Sequence, residues 1–272
     1  MENAILDMVI SVSLVTAFLY SVRLFCENRM NATYNTSGQA QLESGNTAYS
    51  IFRSSMYIAM GIAMLGTINS DFLMQAGNGV LAAGFIYLAI ILSDYVIFPN
   101  IDDRKEIIAG GNVAMALVLG AFVISTGIIS YSSFMGQGPW WTSIVFFVVG
   151  QVILLVMSRV YELTHSNLLK NVEEGKVSSG ILLGGMFIAF AMILNGAIAG
   201  DFVSIEADMK AIGISVGIGI FTMFIFVNQA IDRLFVPHQS IKEMIETDDI
   251  PAITIMTSLK IIIAMVIGYV VI

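Results

Sequence analysis

The sequence predicts an all-α polytopic membrane protein of about eight transmembrane helices, arranged as two similar four-helix halves. Three observations lead there. The chain of 272 residues is 57% hydrophobic and 12% charged, with a mean hydropathy of +0.85, far from the balance of a water-soluble domain. Apolar runs of roughly 20 residues recur about eight times, each long enough to cross a hydrocarbon core of about 30 Å as a helix. Much of the pattern recurs along the chain, which divides it into residues 1–133 and 134–272.

Taken in order, the first apolar segment runs from about Ile5 to Phe25 and leads into a polar loop through Arg29, Asn31 and Glu43. Its leading residues carry acids and no base, the wrong charge for a cleaved secretory signal, so this helix is expected to stay. The second helix covers about Ala48 to Ile68 and the third about Gly79 to Phe98, stopped by Pro99. A charged loop from Asp102 to Glu106 precedes the fourth, about Ile108 to Ile129. Pro139-Trp140-Trp141 then marks an interface anchor before the fifth, about Thr142 to Tyr161. The sixth follows the polar loop His165 to Lys176 and spans about Val177 to Ala199; the seventh runs from about Ala211 to Phe235. His238 to Asp249 reads as a short amphipathic helix, and the last span begins at Pro251, a residue suited to a first helical turn.

Every second helix opens the same way. The copies begin near Asn46, Asn112, Lys176 and Ile250, and in that register small residues four apart superpose: Ser50 and Ser54, Ala116 and Gly120, Gly180 and Gly184, Thr254 and Ser258. Such pairs share one helix face, so backbones can approach closely and gain dispersion contacts that lipid does not supply. The even-numbered helices are therefore expected at the centre. These faces could equally serve a homo-oligomer.

A second echo sets the halves. Gly66, Ile68, Asp71 and Phe72 return as Gly196, Ile198, Asp201 and Phe202, while Asp94 and Pro99 return as Asp232 and Pro237. A unit with an even number of crossings inserts both halves in the same orientation. Nearly all basic residues, including Arg23, Arg104, Lys105, Arg159, Lys170, Arg233 and Lys242, fall in or beside the loops after odd-numbered helices. The positive-inside rule makes those loops cytoplasmic and puts both termini outside.

With Asn46-Thr47-Ala48 and Asn112-Val113-Ala114 opening its second and fourth helices, the chain resembles the domain of unknown function 350 family, the YjfL-like bacterial inner-membrane proteins, in two tandem copies. The second half keeps the position but not the Asn, as Lys176-Val177-Ser178 and Ile250-Pro251-Ala252. The resemblance implies a bacterial inner membrane and four helices per half. It implies no reaction, and it suggests cytoplasmic membrane-stress proteins as a partner class.

Lys260 is the sharpest chemical candidate. It falls near the bilayer midplane, where an ammonium costs about 2.5–3.5 kcal/mol on insertion scales and calls for a partner, water or a shifted pKa. Asp94, Asp232 and Arg53 lie inside neighbouring helices, so Arg53 is expected to pair with Asp94 and Lys260 with Asp232, with Gln151 and Asn228 adding polar atoms. These residues could carry a small polar solute or ion through a channel or transporter, or be buried structural ion pairs, or Lys260 could snorkel to the cytoplasmic surface. The alternative function is a non-catalytic membrane scaffold that recruits cytoplasmic envelope-stress proteins through the loops at Asp102 to Glu106, His165 to Lys176 and His238 to Asp249.

Other chemistry finds little footing. His165 and His238 have no companions for a metal site, and Cys26 is the lone cysteine. No nucleophile, metal-protease or phosphate-loop motif occurs, so no enzyme, catalytic residue, metal or cofactor is expected. A net charge of −8 without a basic cluster argues against nucleic acid. The lipid bilayer is the expected environment.

Overall fold

A computed structural model describes residues 2–69, 71–98, 102–164, 167–227 and 240–270. The described elements are all helical: α1 (Glu2–Tyr34), α2 (Gly38–Glu43), α3 (Thr47–Leu65), α4 (Phe72–Val96), α5 (Asp103–Ile108), α6 (Val113–Met135), α7 (Trp140–Thr164), α8 (Leu168–Glu173), α9 (Val177–Ile198), α10 (Ile205–Phe221), α11 (Ile241–Glu246) and α12 (Ile250–Val270). Seven of the long helices are long and apolar enough to cross a membrane. The exception is α3, whose opening half carries Tyr49, Ser50, Arg53, Ser54 and Ser55; it nevertheless runs beside α6 along its length as the eighth long helix. The chain is an all-α, multi-pass membrane protein.

One plan is used four times. A long helix is followed by a six-residue helix (α2, α5, α8 or α11), a tight elbow, and a second long helix (α3, α6, α9 or α12). The elbow turns on a left-handed residue: Gly45, Gly111 and Gly175 at φ of 73°, 63° and 85°, and Asp248 at 52°. Glycine adopts that conformation without steric cost and Asp tolerates it. Sequence reading treated the first three short helices as plain polar loops; each is too short for periodicity to reveal it.

The second long helix of each unit belongs to an inner row in the order α3, α6, α9, α12, and the others lie outside it. Of the α6 span 83% is buried, against 11% for α1. Each outer helix after α1 lies in the groove between two inner ones: α4 between α3 and α6, α7 between α6 and α9, α10 between α9 and α12. The inner helices are parallel, since each starts from the end carrying the short helices.

The inner contacts repeat in register. Counted from the cap residues Asn46, Asn112, Lys176 and Asp249, the ninth residue of one inner helix meets the eighth of the next: Ser55 against Gly120, Ala121 against Gly184, and Gly185 against Thr257. Near the far end the twentieth meets the nineteenth: Gly66 against Tyr131, Ser132 against Asn195, and Gly196 against Gly268. A Cβ on Gly180 would stand 2.6 Å from the Ala114 carbonyl oxygen, and one on Gly127 the same distance from that of Ala59. Only glycine permits backbones so close, and the approach multiplies weak dispersion contacts along the seam.

Two expectations need correction here. Ala116, Gly120, Gly180 and Gly184 are buried in the row, but Ser54, Thr254 and Ser258 are exposed and Ser50 only half-buried. For α12 the cause is a slip of one residue. The cap is Asp249, whose Oδ1 accepts from Ala252 N at 3.1 Å, so Ile253 and Thr257 occupy the places given to Thr254 and Ser258. A slip of one residue rotates a helix face by about 100°. For α3 the cause is position: it begins the row, so its buried face is the one toward α6, through Ser55 and Ala59.

Candidate functional site

The site is built on α12. Asp249 sets its phase, and Met256, Thr257, Lys260, Ala264 and Ile267, spaced three and four apart, form its buried face. Lys260 has 0% exposure. It lies eleven residues past the cap, roughly 16 Å along the helix at 1.5 Å per residue, about halfway through a hydrocarbon core. With the cap at Asp249, its counterparts are Tyr57, Val123 and Phe187, in place of the expected Met56, Phe122 and Met186. The ammonium still belongs to the fourth unit alone.

The wall facing α12 is irregular. Helix α10 passes into a π-helical segment, Thr222–Val227, which packs against α12. Such widened turns recur at functional sites because they reposition side chains and free backbone groups. From this segment the Phe224 ring packs on Tyr161 of α7 and Phe190 of α9, at centroid distances of 6.1 Å and 6.2 Å. The Tyr161 side chain is fully buried. Asn228 and Asp232, the expected partners of Lys260, lie outside the described residues.

Arg53 sits elsewhere, near the start of α3. Its Nη1 lies 3.5 Å from Glu27 Oε1 of α1 and donates to the Tyr49 hydroxyl at 2.9 Å, while Nε donates to the Tyr57 hydroxyl at 3.0 Å. Both rings flank the guanidinium at 5.7 Å. Glu27 Oε2 accepts from Gly38 N at 2.8 Å, and a Cβ there would stand 2.5 Å from Glu27 Oε1. The described partner of Arg53 is thus Glu27, where Asp94 was expected; the Asp94 side chain lies outside the described residues. This cluster fastens α1, α2 and α3 together. Glu27 was missed because it ends an apolar run, where an acid reads as the edge of a loop.

Gln151 faces the first half. Its Oε1 accepts from Thr126 Oγ1 at 3.3 Å, and its buried Nε2 has no hydrogen bond among the described residues. It borders an apolar cavity of about 170 Å³ between α4, α6 and α7, lined by Leu88, Leu92, Phe122, Phe147 and Val148. Sequence reading grouped it with Lys260; its described bond instead ties α7 to α6.

At the end bearing the short helices, each Asn does two jobs. Asn46 Oδ1 caps α3 by accepting from Tyr49 N, and its Nδ2 donates to the Ile107 and Ile108 carbonyls of the following unit, both at 3.0 Å. Asn112 does the same for α6, donating to Val172 and Glu173 at 3.0 Å and 3.3 Å. Lys176 makes no such cap, and Asp248 of the next unit supplies it from outside, accepting from Ser178 N at 2.8 Å. Between α8 and α11 a further cavity of about 280 Å³ is lined by Asn167, Asn171, Lys176, Lys242, Ile245 and Glu246.

Comparison with known proteins agrees with this twofold plan. The family described as "Domain of Unknown Function (DUF350)" matches residues 1–134 and again 135–271. A "UPF0719 transmembrane protein" of Aquifex aeolicus (strain VF5) is 28% identical over 126 residues, covering 43% of this chain and 47% of that protein. The match thus spans about half the length of that relative. No solved structure matches the chain.

Proposed function

For a chain that belongs to the DUF350 family, as two tandem copies of its domain, we propose passage of a small polar solute or ion across the membrane, with Lys260 as the central group. The observation that carries this reading is the complete burial of Lys260 halfway along a helix apolar and long enough to span a membrane, a helix that also packs on the π-helical segment. An ionisable side chain at that depth, whose charged form costs about 2.5–3.5 kcal/mol there, is the default starting point for a functional site. Asp232 and Asn228, which follow the π segment in sequence, are the groups proposed to complete the site with it. Arg53 with Glu27 is the structural clamp, and Asp94 is proposed as the first-half counterpart of Asp232.

The membrane is proposed to be a bacterial inner membrane, with the short-helix end cytoplasmic and both termini outside, since the basic residues concentrate at that end. No enzymatic activity is proposed.

Proteoliposomes loaded with indicators for protons, monovalent cations and anions test the reading. Wild-type protein is expected to conduct at least one of these, and Lys260→Met to abolish that flux while eluting as folded protein. Equal flux from Lys260→Met, or none from wild type, overturns it.

A second reading, a scaffold for cytoplasmic membrane-stress proteins, is favoured by the half-polar cavity between α8 and α11. Pull-down from native membranes with Asn171→Trp tests it. Loss of a reproducible partner with unchanged flux would favour this second reading.

A further inference from the structure

The inner row ends without closing. Each interior helix uses two faces, one toward the previous helix and one toward the next, but α3 has no predecessor and α12 no successor among the described residues. On α3 the unused face carries Ser54, Ile58, Gly61 and Leu65; Ser54 is exposed, Ile58 and Leu65 are 50% and 56% exposed, and a Cβ on Gly61 would meet nothing within 4 Å. On α12 it carries Ser258, Ile262 and Tyr269, with Ile262 54% and Tyr269 82% exposed.

These two faces are the halves of an interface already present in the molecule. The α6–α9 contact joins the first family domain to the second, Ala121 meeting Gly184 and Ser132 meeting Asn195. Helix α12 occupies in the second domain the place α6 has in the first, and α3 the place of α9. By the same count, Ser258 is the counterpart of Ala121 and Tyr269 of Ser132; Ser54 is the counterpart of Gly184 and Leu65 of Asn195. Near the short-helix end the close-approach position is serine on both free faces, whereas farther along α12 Ile262 stands where the inner contacts have Ala59, Ser125 and Ala189, and Tyr269 where they have Gly66, Ser132 and Gly196, so the free faces match closely only over that first part.

A separate feature points the same way. Every outer helix but the first lies in a groove between two inner helices, whereas α1 meets one inner helix, α3, together with the outer helix α4, and only 11% of its span is buried. In the pattern of the other three outer helices, the second inner helix beside α1 would come from a preceding position in the row.

We infer that a second copy of this chain docks head to tail, the free face of α12 (Ser258, Ile262, Tyr269) against the free face of α3 (Ser54, Gly61, Leu65) of the next copy, with α1 of that copy filling the outer groove. Copies in one membrane share an orientation, so parallel α12 and α3 can meet as α6 and α9 do. The interface is heterologous, the end of one row meeting the start of the next.

Thiol cross-linking in native membranes tests this. Ser54→Cys and Ser258→Cys are made separately, co-expressed, and combined in one chain; the parent, with buried Cys26 alone, is the control. Mild oxidation is expected to link the two single variants only when they are co-expressed, and to link the double variant into multimers. Linkage by either single variant alone would mean like faces meet, and absence of linkage in every case would mean lipid covers these faces; each overturns the inference. Gly61→Phe, whose side chain enters open space within the protomer, is expected to keep its thermal midpoint and lower the linked fraction about tenfold, equivalent to about 1.4 kcal/mol. Unchanged linkage in that variant overturns it as well.

Discussion

The Asn112 side-chain amide donates to the Val172 carbonyl at 3.0 Å while its oxygen caps the start of α6, so one residue both begins a helix and holds the next unit in register. Asn112→Asp keeps the cap but sets a carboxylate against two carbonyls. It is expected to lower stability by about 1–3 kcal/mol, more than the same change at a plain cap would. Thermal unfolding in detergent, compared with Asn112→Ala, measures it.

Glycine substitutions along the row divide by backbone distance. Gly180→Ala would push a methyl group to 2.6 Å from the Ala114 carbonyl and force α6 from α9, a loss of about 1–3 kcal/mol. Gly84→Ala meets nothing within 4 Å and lies within helix α4, so it is expected to be neutral or to stabilise by up to about 1 kcal/mol. Side-by-side melting curves separate them, and equal losses would contradict the close approach.

The Arg53 clamp predicts coupling. Arg53→Met leaves the Glu27 carboxylate, with 22% of its side chain exposed, without its cation. Arg53→Met and Glu27→Gln together are expected to cost less than the sum of the two single changes, with an interaction energy of about 0.5–3 kcal/mol. A double-mutant cycle on thermal stability reads this directly.

The phase of α12 is testable at one residue. Asp249→Ala is expected to cost about 0.5–2 kcal/mol through loss of the cap, and Asp249→Asn close to nothing. Equal stability of all three proteins would put the helix start elsewhere.

Hydropathy made the long helices legible, and repetition made the twofold plan legible, because both depend on composition over many residues. The phase of α12 was not legible. Small residues are common enough to give four-apart pairs in two phases, and Thr254 with Ser258 matches the pattern as well as Ile253 with Thr257 fails it. The cap was the better ruler, since Asp249 with Ala252 preserves the bond that Asn46 makes with Tyr49. The change from Asn to Lys176 removes the side-chain cap, yet Asp248 of another unit accepts from Ser178 N in the same first turn, a compensation across 70 residues that no local reading could find. Of the expected site, Lys260 is buried, while Arg53 pairs with Glu27 and Gln151 with Thr126, because partners depend on which helices become neighbours.

The four inner helices all begin at one membrane face, so their peptide dipoles point the same way, each leaving roughly half a positive charge at its start. In the first half those starts are met by the uncharged amides of Asn46 and Asn112; in the second, by the carboxylates of Asp248 and Asp249. Two halves with one backbone plan therefore present different fixed charge to any voltage applied along the membrane normal.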